Sequence, residues 1–470
     1  MKFVVEHVGK GGGRLGRLSG FRSQPDTTHN TPLSLISTAG GSAPHLTQDV
    51  LHLVAKRTAP LCVPAQHFVE HIKVLQNFKK GVAHFASLQS HSVCVTVHDP
   101  AKATPNGYND KQGISFWTYG GRKILNADSY MELVEAMRPD WYEALSDADT
   151  PATASKKRLS KSLASSRAYI ATCLHRHKES QAFRGCGVMV PLLGGHSKAD
   201  RTRWIKGLPQ LLGEEEEEAL VSGYALQGLH TNGPEAELLT SAQVTELAGT
   251  SLESLPEGRV RQAGGGWSPE VVVSLVELGV DVFDSSFPHL VTQRNGALTF
   301  PHSRHSDSET RAAEGKENLE HQDKKLKVAD TEEEEEKEGK QGSEEQGDEP
   351  QKKEEQEETG KKKKPNRKEE ENGTKPATSV YEICLADERY VLDERPLLDG
   401  CECYACKNFS RAYVHHLINV KEMLAPVLLM IHNLHHWTSF FSSIREAVRT
   451  DSLQDLKALV HSAAEGSDKR

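Results

Sequence analysis

Short apolar runs alternate with stretches of helical periodicity between residues 187 and 284, and this alternation constrains the fold more than any other feature. The helix predicted at 268–278 is well bounded, with Ser268 as a possible N-cap, Pro269 in the first turn and Gly279 at the end. Repeated strand–helix units imply parallel strands, in either a doubly wound sheet or a (β/α)8 barrel. The apolar runs cover 187–193, 223–229, 258–262 and 279–284, and the helices are predicted near 198–211, 236–248 and 268–278.

The rest of the chain also has readable patterns. Residues 1–60 are predicted to be β-rich, and helices are predicted at 64–80, at 125–141 with Asn126 as a cap, and at 151–183. In a barrel, the carboxyl ends of the strands carry the chemistry. Asp281 and Asp284 lie at such an end, as candidate nucleophiles or general bases or equally as caps of a turn. The other predicted strand ends are Gly194 and Gly195, Gln227 and Gly228, and residues 264–266.

Residues 303–376 form a charged segment without Phe, Tyr or Trp. Its 24 acidic and 17 basic residues give a net charge of −7, which leaves −2 of the chain's −9 for the other 396 residues. Such a segment cannot bury enough apolar area to offset the entropy of ordering, so we interpret it as a disordered insertion. A tolerated surface loop is favoured over a charged docking segment. The nearly neutral remainder neither requires nor excludes a nucleic-acid partner.

Three of the eight cysteines, Cys401, Cys403 and Cys406, lie within six positions. In a reducing compartment this clustering favours a metal site over disulfides. Three thiolates can occupy three corners of a zinc tetrahedron, a histidine commonly supplies the fourth, and a site with four protein ligands is structural because no position is open. The candidate histidines, among which spacing alone does not choose, are His415, His416, His432, His435 and His436.

Several functional classes are not expected from this sequence. It has no run of about 18 apolar residues, so no membrane span is expected, and its first residues resemble a strand rather than a targeting segment. Motifs of the forms GxxxxGK[ST], HExxH and GxSxG are absent. The basic stretch at 156–176 is either a helix that faces nucleic acid or, as is usual, a solvated face. Trp204, Trp267 and Trp437 are expected in the core.

The cysteine cluster and several other segments resemble the tRNA-guanine transglycosylase family. Cys-Glu-Cys-Tyr-Ala-Cys at 401–406, Ser-Arg-Ala-Tyr-Val-His-His-Leu at 410–417 and His432 resemble the family's zinc subdomain. Residues 279–284 resemble the strand that bears the family's nucleophilic aspartate. Residues 31–40 resemble the first barrel strand, and residues 387–397 resemble the segment that leads into the zinc subdomain. The match covers roughly residues 1–302 and 377–460.

The resemblance implies an irregular (β/α)8 TIM barrel in three parts: the barrel at 1–302, the charged insertion at 303–376, and a zinc-binding subdomain with C-terminal helices at 377–470. Family members complete the zinc site with a histidine 26 positions after the last cysteine, so the implied ligands of one structural Zn²⁺ are Cys401, Cys403, Cys406 and His432. Family enzymes exchange guanine at the tRNA wobble position. Their nucleophilic aspartate, here at the position of Asp284, attacks the ribose C1′ and holds a covalent intermediate, and a second aspartate acts in the exchange.

The sequence departs from the family pattern around the base. The Asp-Ser-Gly-Gly-Phe-Gln motif that bears the second aspartate has no counterpart in residues 88–100. Leu193 replaces a glutamine that hydrogen-bonds the purine, and a site that loses such a partner discriminates poorly for that base. Gln227 brings a side chain to a glycine position, and Asp147 is a short match to a base-contacting aspartate. The Pro-Thr-Arg after the nucleophile becomes Pro288-His289-Leu290, with one residue inserted before Arg294.

This pattern resembles the accessory, non-catalytic branch of the eukaryotic queuine enzymes. It implies no catalytic residue, with Asp284 as a vestigial nucleophile. The implied partners are tRNA and a catalytic paralogue, in a heterodimer that inserts queuine at position 34 of the GUN-anticodon tRNAs for Asp, Asn, His and Tyr; a homodimer is a further option. The implied location is the cytoplasm, with peripheral association with the mitochondrial outer membrane as an option. The alternatives are a base-exchange enzyme that uses Asp284 and a zinc-stabilised tRNA-binding protein without such a partner.

Overall fold

Short strands and longer helices alternate along most of the chain, as the sequence pattern predicts. The computed structural model describes residues 1–55, 58–213, 220–303 and 379–466. Its strands are β1 (Lys2–Val8), β2 (Arg14–Ser19), β3 (His29–Thr31), β4 (Leu33–Ser37), β5 (Leu61–Pro64), β6 (Val93–Thr96), β7 (Ile114–Thr118), β8 (Gly121–Leu125), β9 (Trp141–Glu143), β10 (Gly187–Leu192), β11 (Val221–Leu226), β12 (Val260–Gln262), β13 (Val282–Asp284), β14 (Gly296–Leu298) and β15 (Glu382–Cys384).

Most of the helices follow these strands and lie outside them. The α-helices are α1 (Gln48–Leu51), α2 (Ile72–Phe78), α3 (Val82–Phe85), α4 (Ala127–Met137), α5 (Lys156–Glu179), α6 (Lys198–Lys206), α7 (Leu208–Leu212), α8 (Ser241–Leu252), α9 (Pro269–Glu277), α10 (Ser286–Gln293), α11 (Tyr404–Asn408), α12 (Arg411–Asn419), α13 (Leu424–Arg449) and α14 (Leu453–Gly466). Short 3₁₀ helices span Ala65–His71, Gln181–Phe183, Gly233–Leu238 and Glu388–Tyr390.

Eight parallel strands form a closed barrel. In chain order they are β4, β5, β6, β9, β10, β11, β12 and β13, and β13 pairs with β4 to close the ring. The antiparallel hairpin of β7 and β8 is inserted between β6 and β9, which makes the barrel irregular. The predicted barrel is therefore confirmed, and the alternative of a doubly wound sheet is wrong. Residues 31–40, which resemble the family's first barrel strand, contain β4.

Local signals explain most of the helix boundaries. Asn126 accepts a hydrogen bond from the Ser129 backbone N–H at 2.9 Å and caps α4 as predicted. The helix expected at 198–211 is divided into α6 and α7 at Gly207. Ser268 occupies the predicted N-cap position of α9, and its side chain makes no capping hydrogen bond there. Gly279 follows α9 at a φ of 82°, which suits glycine.

The inside of the barrel has an apolar end and a polar end, and residues two apart in a strand face the same side. At the amino end, Trp141, Val260 and Val282 pack in an apolar cluster that Leu18 and Phe21 of the N-terminal sheet complete. Two residues further along the same three strands stand Glu143, Gln262 and Asp284, which are all buried. The polar side chains thus lie at the carboxyl end, where a barrel holds its chemistry.

An ion pair closes the amino end of the barrel. Arg14 of β2 contacts the Asp281 carboxylate through two nitrogens, and Arg14 Nη1 also donates to the Glu257 carbonyl at 2.8 Å. Burial raises the pKa of Asp281 to about 6, against the opposing effect of the Arg14 charge. Asp281, a candidate reactive group from the sequence, is therefore paired with Arg14 at the amino end of the barrel, whereas Asp284 lies at the carboxyl end.

The C-terminal helix α13 packs against the outside of β13 and β4. Trp437 Nε1 donates to Ser34 Oγ at 3.1 Å, and the rings of Phe441 and Phe283 lie 5.5 Å apart. Trp204, Trp267 and Trp437 are all buried, as predicted. Apart from Ser303, the predicted insertion at 303–376 lies outside the described residues. Among the described residues, no helix is both long enough and apolar enough to cross a membrane.

Candidate functional site

Four side chains converge beside the barrel in the arrangement of a metal centre. The Sγ atoms of Cys401, Cys403 and Cys406 and a ring nitrogen of His432 all lie within 4.8 Å of one another. The Sγ atoms are 3.7, 3.6 and 3.3 Å, in that order, from His432 Nδ1. A tetrahedral zinc ion with ordinary bond lengths places sulfur and nitrogen ligands about 3.6 Å apart. The four residues therefore fit a structural Zn²⁺, which would crosslink the segments that carry them.

Neighbouring elements orient these ligands. Cys403 is the N-cap of α11 and accepts a hydrogen bond from the Cys406 backbone N–H at 3.3 Å, so both thiols turn to one side. His432 of α13 is fully buried, and its Nε2 lies 2.8 Å from the carbonyl oxygen of Leu298 on β14. A proton on Nε2 leaves Nδ1 free to bind a metal. In metal sites a backbone carbonyl commonly accepts the N–H of a histidine in this way and so fixes its tautomer. Of the five candidate histidines, the structure thus places His432 against the cysteines; His415 Nδ1 lies against the Leu385 carbonyl instead.

Asp284 stands at the carboxyl end of β13 and is 3% exposed. Its Oδ2 accepts a hydrogen bond from the Gly265 backbone N–H at 2.7 Å, and its Oδ1 accepts one from the Ser286 backbone N–H at 2.8 Å. Burial raises the pKa of Asp284 to about 6, against the opposing effect of these bonds. The carboxylate is therefore held in place by its own chain.

A buried polar network fills the barrel next to Asp284. Glu143 accepts hydrogen bonds from Gln262 Nε2 at 2.8 Å and from Gln227 Nε2 at 3.0 Å. Ser146 Oγ donates to Gln227 Oε1 at 2.6 Å. Burial raises the pKa of Glu143 to about 7; a hydrogen bond from the Val97 N–H opposes this rise and the charge of Asp284 adds to it. The amide and carboxyl groups satisfy one another and leave few bonding positions for a ligand.

The charge of a second carboxylate acts on Asp284 although the expected motif is absent. Asp99 follows β6, and its negative charge contributes to the raised pKa of Asp284, after burial and hydrogen bonding. His67 Nε2 lies 3.2 Å from Asp99 Oδ2. Without the glycines of the motif, residues 88–100 gave no signal for this aspartate. Asp99 and Asp284 follow or end two strands, β6 and β13, that are not adjacent in the barrel.

The remaining predicted positions have structural partners. Both oxygens of Asp147 bond to the Arg158 guanidinium, at 2.7 and 2.6 Å, so this aspartate is engaged by α5. Leu193 is buried. Gly194 has a φ of 136°, and a side chain there would meet the backbone of Arg201 at 2.5 Å, so the turn requires glycine. Arg201 is fully buried and donates to the carbonyls of Gly195 and Gln227, which ties together the loops after β10 and β11.

Sequence analysis missed Glu143, Gln262 and Asp99. For the first two a signal was available. Glu143 lies two residues after Trp141, and Gln262 lies two residues after Val260, in short strands whose alternation directs these pairs to the same side. A polar residue two positions after an inward-facing apolar residue of a strand is expected to place its side chain inside the barrel.

Comparison with known proteins identifies the family. A family model described as queuine tRNA-ribosyltransferase matches residues 10–465. The chain belongs to this family. It is 34% identical to the queuine tRNA-ribosyltransferase accessory subunit 2 of Xenopus laevis over 464 residues, which are 98% of this chain and 99% of that protein. The human protein of the same name is 32% identical over 458 residues, with 96% and 97% covered, and that of Danio rerio is 33% identical over 461 residues, with 98% of each chain covered.

Membership of the queuine tRNA-ribosyltransferase family agrees with both sites. The closed parallel barrel carries Asp284 at a strand end, and a cluster able to hold a metal ion lies near the C-terminus. The resemblance inferred from the cysteine spacing and from residues 279–284 is thereby confirmed at the level of the family.

Proposed function

We propose that this chain is a non-catalytic accessory subunit of a queuine tRNA-ribosyltransferase. In this proposal it pairs with a catalytic paralogue, and the complex exchanges guanine for queuine at position 34 of tRNAs with GUN anticodons. The names of the relatives support the accessory role. The observation that carries the non-catalytic part is the state of Asp284, which is 3% exposed and accepts backbone hydrogen bonds on both oxygens. A nucleophile must instead approach the ribose carbon closely.

The surroundings of Asp284 support the same proposal. Glu143 and Gln227 bond to each other where a base would need donors and acceptors, and Leu193 offers no hydrogen bond. A purine that entered would have to break the Glu143–Gln227 bond, and any buried polar group left without a partner would cost about 1–3 kcal/mol. Binding of guanine or queuine by this chain is therefore expected to be weak.

A catalytically active chain that uses Asp284 as its nucleophile is the alternative. One observation favours it, the effect of the Asp99 charge on the pKa of Asp284. The family resemblance implies that base exchange needs two aspartates, the nucleophile and a second one. Asp99, with His67 beside it, could serve as the second.

The test is a guanine-exchange assay with a GUN-anticodon tRNA. Three preparations are compared: this chain alone, the catalytic paralogue alone, and the two together. We expect exchange in the mixture, none by this chain alone, and no loss when Asp284→Asn replaces the native chain in the mixture. A matched control changes the nucleophile of the catalytic paralogue, which should abolish exchange. Exchange by this chain alone that Asp284→Asn abolishes would establish the alternative.

We infer that the metal held by Cys401, Cys403, Cys406 and His432 is Zn²⁺, with a structural role. Three thiolates and one imidazole are a common zinc ligand set, and four protein ligands leave no open position. The homodimer, the cytoplasmic location and the attachment to the outer mitochondrial membrane remain predictions. Size measurement of the isolated chain and cell fractionation would test them.

A further inference from the structure

A basic surface lies beside the mouth of the barrel, on α5 and on the loop before β7. Lys156, Lys157 and Lys161 are exposed in the first two turns of α5, and Lys111 is exposed in the loop. Within the described part of the chain, none of these lysines has an ion-pair partner. Four unpaired cations on adjoining segments favour a polyanionic partner.

The aspartates near these lysines already have arginine partners: Asp110, next to Lys111, lies 3.5 Å from Arg122, and Asp147 and Asp149 contact Arg158. Arg158, in the same turn of α5, is turned towards the barrel and bonds both oxygens of Asp147. It also lies 3.3 Å from Asp149 Oδ2. The exposed lysines therefore keep their charge available to a ligand.

The same aspartates join the two segments. The Gly107 backbone N–H donates to Asp149 Oδ2 at 2.7 Å, and Asn109 Nδ2 donates to Asp147 Oδ1 at 2.9 Å. Since Arg158 connects both aspartates to α5, the loop and the helix are fixed to each other. The lysines of the two segments thus form one surface with a defined geometry.

An aromatic side chain lies within this surface. Tyr108 is 46% exposed, and its ring stands perpendicular to the Trp117 ring, with the two centroids 4.9 Å apart. The Arg122 guanidinium lies 5.6 Å from the centre of the Tyr108 ring and also donates to the Tyr108 carbonyl at 2.8 Å. A supported, exposed aromatic ring flanked by cations is the usual platform for an unpaired nucleic-acid base.

This surface is at the same end of the barrel as Asp284. The helix α5 follows β9, so its first turns lie near the carboxyl ends of the strands. A polynucleotide that crosses this surface would therefore pass the mouth of the barrel.

We propose that Lys111, Lys156, Lys157 and Lys161 bind phosphates of the tRNA substrate and that Tyr108 stacks on one of its unpaired bases. The inference rests on the proposed accessory function and assigns the residues that hold the RNA. The lysines supply affinity without sequence preference, whereas Tyr108 requires a single-stranded position.

The test measures binding of a tRNA-Asp transcript to the complex of this chain with its catalytic paralogue, at several salt concentrations. The triple variant Lys156→Ala, Lys157→Ala, Lys161→Ala should weaken binding roughly tenfold or more at 0.15 M salt. It should also make the negative slope of log association constant against log salt concentration shallower by about 2. The matched control is Lys73→Ala, Lys79→Ala, Lys80→Ala, which removes three exposed lysines on and beside α2 and should change neither quantity.

Tyr108 is tested separately. Tyr108→Ala should weaken binding by about fivefold or more with an unchanged salt slope, whereas Tyr108→Phe should bind like the native chain. Thermal unfolding of each variant verifies that it is folded. Equal tRNA binding by both lysine triples, with the native complex active in guanine exchange, would refute this inference and leave the proposed function intact. A native complex that neither binds tRNA nor exchanges guanine would refute both.

Discussion

Gln227 Nε2 donates a hydrogen bond to Glu143 Oε2 at 3.0 Å at the carboxyl end of the barrel. The two residues come from neighbouring parts of the wall: Glu143 ends β9, and Gln227 follows β11. Together with Gln262 they make a polar layer that is satisfied by its own side chains. The hydrogen bonds of this layer are therefore expected to contribute to folding stability.

Removing the amide of Gln227 should destabilise the chain. In Gln227→Ala, Glu143 and Ser146 each lose a hydrogen-bond partner, and the expected loss of unfolding free energy is about 1–3 kcal/mol. Urea unfolding followed by circular dichroism measures it. Gln210→Ala, an exposed position on α7, is the control and should have almost no effect. A Gln227→Ala chain as stable as the native one would mean that water replaces the amide without cost.

Glu143 should make stability fall as the pH rises. The pKa of its carboxyl is about 7 in the folded chain and near 4.5 when unfolded, so the folded state holds the proton more tightly. Stability from this group is therefore complete below about pH 4.5 and is lost as the pH rises through 7. Glu143→Gln should remove this contribution, so its gain in stability over the native chain should be largest, about 3 kcal/mol, above pH 7.

Unfolding curves of the native chain and of Glu143→Gln at pH 5, 6, 7 and 8 measure this effect. Glu132→Gln, at an exposed position on α4, serves as the control. Parallel pH profiles for the native chain and Glu143→Gln would show that Glu143 does not titrate in this range.

Loss of one thiol should release the metal. In Cys403→Ser the remaining ligands leave one corner of the tetrahedron open, so bound zinc should fall from one per chain to well below one, and the melting temperature should drop. Metal analysis by mass spectrometry measures the first and calorimetry the second. The control is Cys384→Ser, which changes a cysteine of β15 outside the cluster and should keep its zinc. Full metal content in Cys403→Ser would contradict the assignment of ligands.

Replacing residues 304–378 by a short linker should leave the fold unchanged. The chain on either side is already joined, since β14 pairs with β15 and the Thr299 N–H donates to the Tyr381 carbonyl at 3.0 Å. A linker of about eight residues reaches up to about 26 Å and can connect Ser303 to Ser379. We expect an unchanged melting temperature and unchanged zinc content. A large loss of either would assign the replaced residues a role in the stability of the barrel.

The sequence predicted parallel strands because strand–helix alternation is a local property, but the choice of a barrel over a doubly wound sheet came from the family resemblance. The sequence predicted the metal cluster for a similar local reason, because three of the four ligands are close in the chain. His432 needed the family resemblance, since its contact with the cysteines depends on how α13 packs. The relation of Asp99 to Asp284 could not be found in the sequence because it joins β6 and β13, which are distant in the chain and not adjacent in the barrel. Glu143 and Gln262 could have been found from their phase in the strands.

The pairing of β14 with β15 would hold the two parts of the polypeptide together if the chain were divided between residues 303 and 379. The cysteines and His432 follow this hairpin in sequence, while the Leu298 carbonyl that orients His432 precedes the cut. Of two separately produced fragments, 379–470 would therefore carry all four metal ligands, and 1–303 would carry the carbonyl that orients one of them and the strand that pairs with β15. Such a pair would form a complementation system, in which recovery of the unfolding transition of the intact chain by the mixture signals that the fragments have reassembled.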